Sequence, residues 1–144
     1  MRKEFKIVPE RKLKRIIDKV LSNRSEVILC YLFGSYVLGN KNKFSDIDLG
    51  ILLDREFKRP HLYQVDLSLE IEKEFNNKIE VDLSILNDAT PRFLYNVLKN
   101  GYVIHSKSDK VQHEYEIRIL YEYLDIKPIL DMHDNITIMD VFED

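Results

Sequence analysis

Two aspartates one residue apart, Asp46 and Asp48, stand at the mouth of an apolar run that ends at Leu53. On a strand, residues i and i+2 point the same way, and two rises separate their anchors by ~7 Å. At an effective dielectric of ~20, two unit charges at that distance repel by ~2 kcal/mol. Water on both groups relieves the repulsion, and so does a cation between them. Mg²⁺ takes a few carboxylate oxygens and keeps positions open for phosphate. Asp82, on the polar face of a later alternating segment, adds a third carboxylate if the two strands are neighbours. Three acids can hold two metal ions, and a two-metal site stabilises both the attacking and the leaving oxygen of an in-line phosphoryl displacement. The plain alternative is that a half-exposed strand simply has a polar face. For a lone Asp-x-Asp that alternative is the stronger one.

The residues upstream change the balance. The apolar run Val27 to Phe33 ends in Gly34-Ser35, and ten residues then lead to Asp46. Glycine permits a sharp turn and a close approach of backbone to a phosphate. Backbone N–H groups after it, with the Ser35 hydroxyl, can bind phosphate oxygens. Gly39 would close the turn. Lys41 and Lys43 are near enough in sequence to meet a triphosphate, although loop lysines are usually just solvated. Gly-Ser, then Asp-x-Asp at a strand, then Asp in a later strand together point to a nucleotidyltransferase site.

Regular elements must position these groups. Apolar residues at helical spacing (Leu13, Ile16, Ile17, Val20, Leu21) predict a helix from about Pro9 to Leu21. Val27 to Phe33 reads as a buried central strand. Asp46 to Leu53 alternates, with Ile47, Leu49, Ile51 and Leu53 on one face. A helix is expected over Pro60 to Phe75, with Leu62, Val65, Leu69 and Ile71 towards the core. Lys78 to Leu86 alternates again. Thr90-Pro91 marks a helix start, and Gly101 a fitting stop. Tyr102 to His105 reads as a short edge strand. A last helix is expected from about Asp109 to Leu124, with Asp125 to Asp134 continuing it past Pro128; the tail ITIMDVFED is apolar, then acidic. The order predicts an α/β (α+β) fold, a small mixed sheet flanked by helices, as a single domain over 1–144.

Composition narrows the function. A net charge of −3 argues against a protein that clamps nucleic-acid backbone directly. The single cysteine, Cys30, lies in the apolar run, which excludes a disulfide framework and fits a reducing cytoplasm. No apolar run approaches the ~20 residues that span a bilayer, and no signal-peptide core follows the basic N-terminus. A cytoplasmic protein without membrane contact is expected. His61, His105, His113 and His133 lack metal-ligand spacing and read as surface or packing histidines. Arg118 could reach a phosphate or pair with Glu114 or Glu122 on its own helix, and the helix pair is the stronger reading. Asp125, Asp131 and Asp134 read as a solvated face, or as one that meets a basic partner.

The stretch GSYVLGNKNKFSDIDLGILL resembles the signature of the polymerase-beta-like nucleotidyltransferases. With IEVDLSILNDATPRFLYNVLKNGYVIH after it, the chain is similar to the minimal nucleotidyltransferases. YEIRILYEYLDIKPILD resembles the C-terminal helix of antitoxins paired with HEPN-domain toxins, and the likeness runs from about Val27 to His133. The resemblance implies the polymerase-beta-like fold and a Mg²⁺-dependent protein adenylyltransferase, with two ions. Such an antitoxin moves AMP from ATP to a tyrosine of its HEPN ribonuclease toxin, and the modified toxin no longer cuts RNA. Carried over, Gly34 and Ser35 hold phosphate, Asp46 and Asp48 bind metal, and Asp82 is the third acid, helping to activate the tyrosine hydroxyl. Leu38 stands where the family often has arginine. A hetero-oligomer with the toxin is implied, with the helix at about 109–134 as its partner-binding element. Two rivals stay open: an antitoxin that acts by stoichiometric binding alone, and an enzyme that modifies a small molecule.

Overall fold

The computed structural model describes residues 9–34 and 46–142. Its elements follow in the order α1 (Glu10–Ser22), β1 (Val27–Phe33), β2 (Ile47–Leu53), α2 (Tyr63–Glu74), β3 (Val81–Ile85), a 3₁₀ turn (Leu86–Asp88), α3 (Pro91–Asn100), β4 (Tyr102–Ser106) and α4 (Asp109–Phe142). The strands form one sheet in the order β3-β2-β1-β4. β1 pairs antiparallel with β2 and β4, while β2 and β3 are parallel. The sheet is therefore mixed, as the pattern predicts. The parallel pair needs a crossover, and α2 supplies it.

The two faces of the sheet carry different loads. On one, Leu13, Ile17 and Leu21 of α1 and Leu67 and Ile71 of α2 pack on Cys30, Leu32, Ile47, Leu49 and Ile51. On the other, Leu94 and Val97 of α3 and Tyr115 and Ile119 of α4 pack on Leu29 and Tyr31. β1 is apolar on both sides because it is covered on both sides. Cys30 is wholly buried, and burial pushes its thiol pKa up, so it is a core residue as expected. Helices α3 and α4 lie chiefly over β1 and β4. Asp48 on β2 and Asp82 on β3 share that second face, beyond the helices.

Several expectations need correction. Helix α2 begins at Tyr63 rather than Pro60, and it faces the core through Tyr63, Leu67 and Ile71. Leu62, Val65 and Leu69 are exposed, at 58%, 53% and 55%, instead of buried. Apolar residues fall at nearly every second position here, so a helix carries two apolar stripes and only one can meet the sheet. Tyr63 decides which. Its ring packs against Phe57, and its hydroxyl donates to Glu26 at 2.9 Å. Strand β3 begins at Val81, not Lys78. Helix α4 runs unbroken past Pro128 to Phe142, longer than expected. No described helix is long and apolar enough to cross a membrane.

Candidate active site

The site begins with a glycine that no other residue can replace quietly. Gly34, directly after β1, has φ of +81°, the left-handed region. A Cβ at this position would lie 2.1 Å from Oδ2 of Asp48. The turn and the carboxylate thus occupy space that any side chain would need. Phe33 is the antiparallel register partner of Asp48, which is why the end of β1 meets the start of β2 here.

β2 and β3 are neighbours, the condition on which Asp82 joins the pair. Asp48 and Asp82 are direct register partners across the parallel β2–β3 pair, with strand axes about 4.8 Å apart. The Asp48 pKa is pushed up to about 6. Burial contributes most, followed by the negative charge of Asp82 and then of Asp46. Asp46 sits exposed just ahead of β2. The structure therefore brings Asp46, Asp48 and Asp82 to one end of the sheet, beside Gly34. Ser35, Leu38, Gly39, Lys41 and Lys43 lie outside the described residues.

The donor set suits a hard cation. All three groups are carboxylates, and a cation relieves the repulsion that adds to burial in raising Asp48. Among the described residues no group of three or more His, Cys, Asp or Glu side chains is placed to hold a metal ion. Mg²⁺ does not require one, since it binds through one or two carboxylates together with substrate phosphates. Asp48 and Asp82 would supply these, with Asp46 at their side.

The other singled-out groups lie elsewhere. His105 hydrogen-bonds Asp18 at 2.7 Å, and His113 contacts the Asp109 carbonyl. Arg118 pairs with Glu122 at 3.9 Å and lies over the Tyr115 ring. It lines a cavity of about 390 Å³ at the far end of β1 and β2, with Ile28, Leu52, Arg55 and Asn87. Asp48 is five residues from that end, ~17 Å along the strand, so Arg118 does not face the carboxylates. Asp134 is held by Arg92 at 3.0 Å, and Asp131 by Lys127. One feature escaped the sequence reading. Phe33 and Phe93 meet edge to face, centroids 5.7 Å apart and planes at 88°, next to Asp48. The signal was the phenylalanine directly before Gly34; its partner on α3 is ~60 residues away, and only packing joins them.

Comparison with known proteins agrees with this fold. The family described as Polymerase beta, Nucleotidyltransferase matches residues 15–110. A search among curated proteins finds no match. Among solved structures, a chain from a toxin–antitoxin complex with AMP-PNP is 22% identical, with a TM-score of 0.70, covering 90% of this chain and 98% of that one. A chain from a complex of tri-AMPylated Shewanella oneidensis HEPN toxin with MNT antitoxin is 21% identical, with a TM-score of 0.66, covering 93% and 99%. The toxin–antitoxin MntA-HepT gives 20% identity and a TM-score of 0.65, covering 92% and 98%. At these identities the likeness establishes a shared fold.

Proposed function

Because this chain belongs to the Polymerase beta, Nucleotidyltransferase family, we propose that it is an antitoxin of the HEPN/MNT type. In this reading 1–144 act as one nucleotidyltransferase domain in the cytoplasm, and AMP passes from ATP to a tyrosine of a HEPN ribonuclease toxin. The observation that carries it is the register pairing of Asp48 with Asp82 beside Gly34. Solved relatives of the same fold occur in toxin–antitoxin complexes, one with AMP-PNP and one with an AMPylated toxin. Those facts belong to the relatives and support the reading by analogy.

The residues divide the work. Gly34 lets the backbone come close to the nucleotide's phosphates, and Ser35 adds a hydroxyl to them. Asp46, Asp48 and Asp82 would hold Mg²⁺, which would supply charge neutralisation at the phosphates. Asp82 accepts the proton of the attacking phenol. The phenolic oxygen forms its bond to the α-phosphorus as the bridging bond to the β-phosphate breaks, and pyrophosphate leaves.

Intact-mass spectrometry of a co-expressed HEPN partner, incubated with this protein, ATP and Mg²⁺, tests the reading. Mass steps of whole AMP units are expected, and none with Asp48→Asn. A second reading, neutralisation by binding alone, is favoured by one observation. Helix α4 exposes Ile117, Leu120, Tyr121, Leu124 and Met132 opposite its core-facing side, a surface that could bind a partner without chemistry. An unchanged mass with a tight complex selects that reading.

A further inference from the structure

Strand register sets a row of side chains across one end of the sheet. Asp82 pairs with Asp48, and Asp48 pairs with Phe33. All three share a face, because Ile47, Leu49, Val81 and Leu83 take the opposite one into the α1–α2 core. Phe33 is thus one strand spacing, ~5 Å, from Asp48. Gly101 leaves room for it, since a Cβ on Gly101 would come within 2.9 Å of the Phe33 Cβ. Phe93 stands against Phe33 at a right angle. Its place in the first turn of α3 is set by Thr90, whose hydroxyl accepts from the Phe93 N–H at 3.2 Å.

Phe93 is nevertheless 36% exposed, while Leu94 and Val97 of the same helix are buried. Phe93 thus leaves part of its ring open, one phenylalanine away from Asp48. That is the usual composition of a ligand site, an apolar wall with a few placed polar groups. Aromatic rings prefer offset-stacked or edge-to-face partners, so such a wall selects a planar ring.

We propose that Phe93, backed by Phe33, holds the planar aromatic ring of a reactant beside Asp48 and Asp82. The inference rests on the nucleotidyltransferase reading, in which both reactants carry such a ring: the nucleobase of the nucleotide and the phenol of the acceptor. Phe93 is a binding residue in this scheme and takes no part in bond making.

Calorimetric titration of the full chain with ATP and, separately, with tripolyphosphate, both with Mg²⁺, tests it. The KM for the protein acceptor is measured beside them. Phe93→Ala and Phe93→Leu are expected to weaken ATP about tenfold, the scale of one lost base stack. Tripolyphosphate binding stays as in the wild type, and Phe93→Tyr restores ATP. Phe93→Leu keeps the apolar bulk, so its loss is not one of folding. If ATP binding holds while the acceptor KM rises about tenfold, the ring on the wall is the acceptor's phenol, and the proposal stands. Unchanged ATP binding and unchanged KM overturn it, as does an equal loss for ATP and tripolyphosphate. A wild-type protein that binds neither ligand overturns the functional reading itself.

Discussion

Gly34 and Asp48 constrain each other, and the constraint has a measurable consequence. Alanine at position 34 must adopt a φ of +81°, which costs an L-residue about 1–2 kcal/mol. Its methyl group must also displace the Asp48 carboxylate. Gly34→Ala is expected to lower the melting temperature by several degrees and to remove Mg²⁺-dependent AMP transfer; unimpaired transfer would show that the carboxylate does not need its place. Titration gives a second test. The Asp48 pKa is raised to about 6 from its ordinary 3.8. The protonated form is therefore favoured by folding, and its contribution is full below about pH 4 and lost as the pH rises through about 6. Asp48→Asn should accordingly stabilise the metal-free protein at pH 7.5 by about 1 kcal/mol, allowing for solvent screening, and hardly at all at pH 4. Thermal melts at the two pH values check this. Mg²⁺ must displace the remaining proton, so its apparent affinity should rise with pH up to about 6 and then level off.

At the scale of elements, α2 is the instructive case. Its two apolar stripes are equally visible in the sequence, yet Leu67 and Ile71 are wholly buried while Leu69 is 55% exposed. Leu67→Ala should cost about 2–5 kcal/mol, and Leu69→Ala less than ~0.5 kcal/mol. Chemical denaturation of both variants measures the difference, and equal costs would reverse the assignment of faces. Helix α3 was legible to the residue: Thr90 caps it and Pro91 occupies its first turn, because cap chemistry is local. The continuation of α4 through Pro128 was legible only in part. Proline removes one hydrogen bond and clashes with the preceding turn. Contacts on both sides of it, the stacked rings of Tyr95 and Tyr123 at 3.9 Å and the Arg92–Asp134 pair, hold α4 against α3.

At the scale of the molecule, α4 is apolar on two sides. Tyr115 and Ile119 enter the core, and Tyr121, Leu124 and Met132 are 65%, 51% and 61% exposed on the other side. A helix apolar on both faces normally has cover on both. The proposed partner supplies it in this reading. Leu124→Glu and Tyr121→Lys are each expected to weaken complex formation at least tenfold while leaving Mg²⁺·ATP binding unchanged. Size-exclusion chromatography with the partner, beside calorimetry with the nucleotide, separates the two. A complex that survives both substitutions would move the interface away from α4.

The sequence by itself determined the chemistry on offer and the elements that carry it. Gly34, the Asp46–Asp48 pair and Asp82 were recognisable because their spacing relates to strand period and turn geometry, both short-range properties. Cys30 was recognisable as core for the same reason. Only the tertiary structure decided that β2 and β3 lie side by side, so that Asp82 joins Asp48 rather than another surface. Only it decided which stripe of α2 is buried, and that Phe93 reaches Phe33 at the edge of the site. Each of these depends on contacts between residues far apart in the chain. Local pattern cannot rank such contacts, because it holds the options open until packing selects among them.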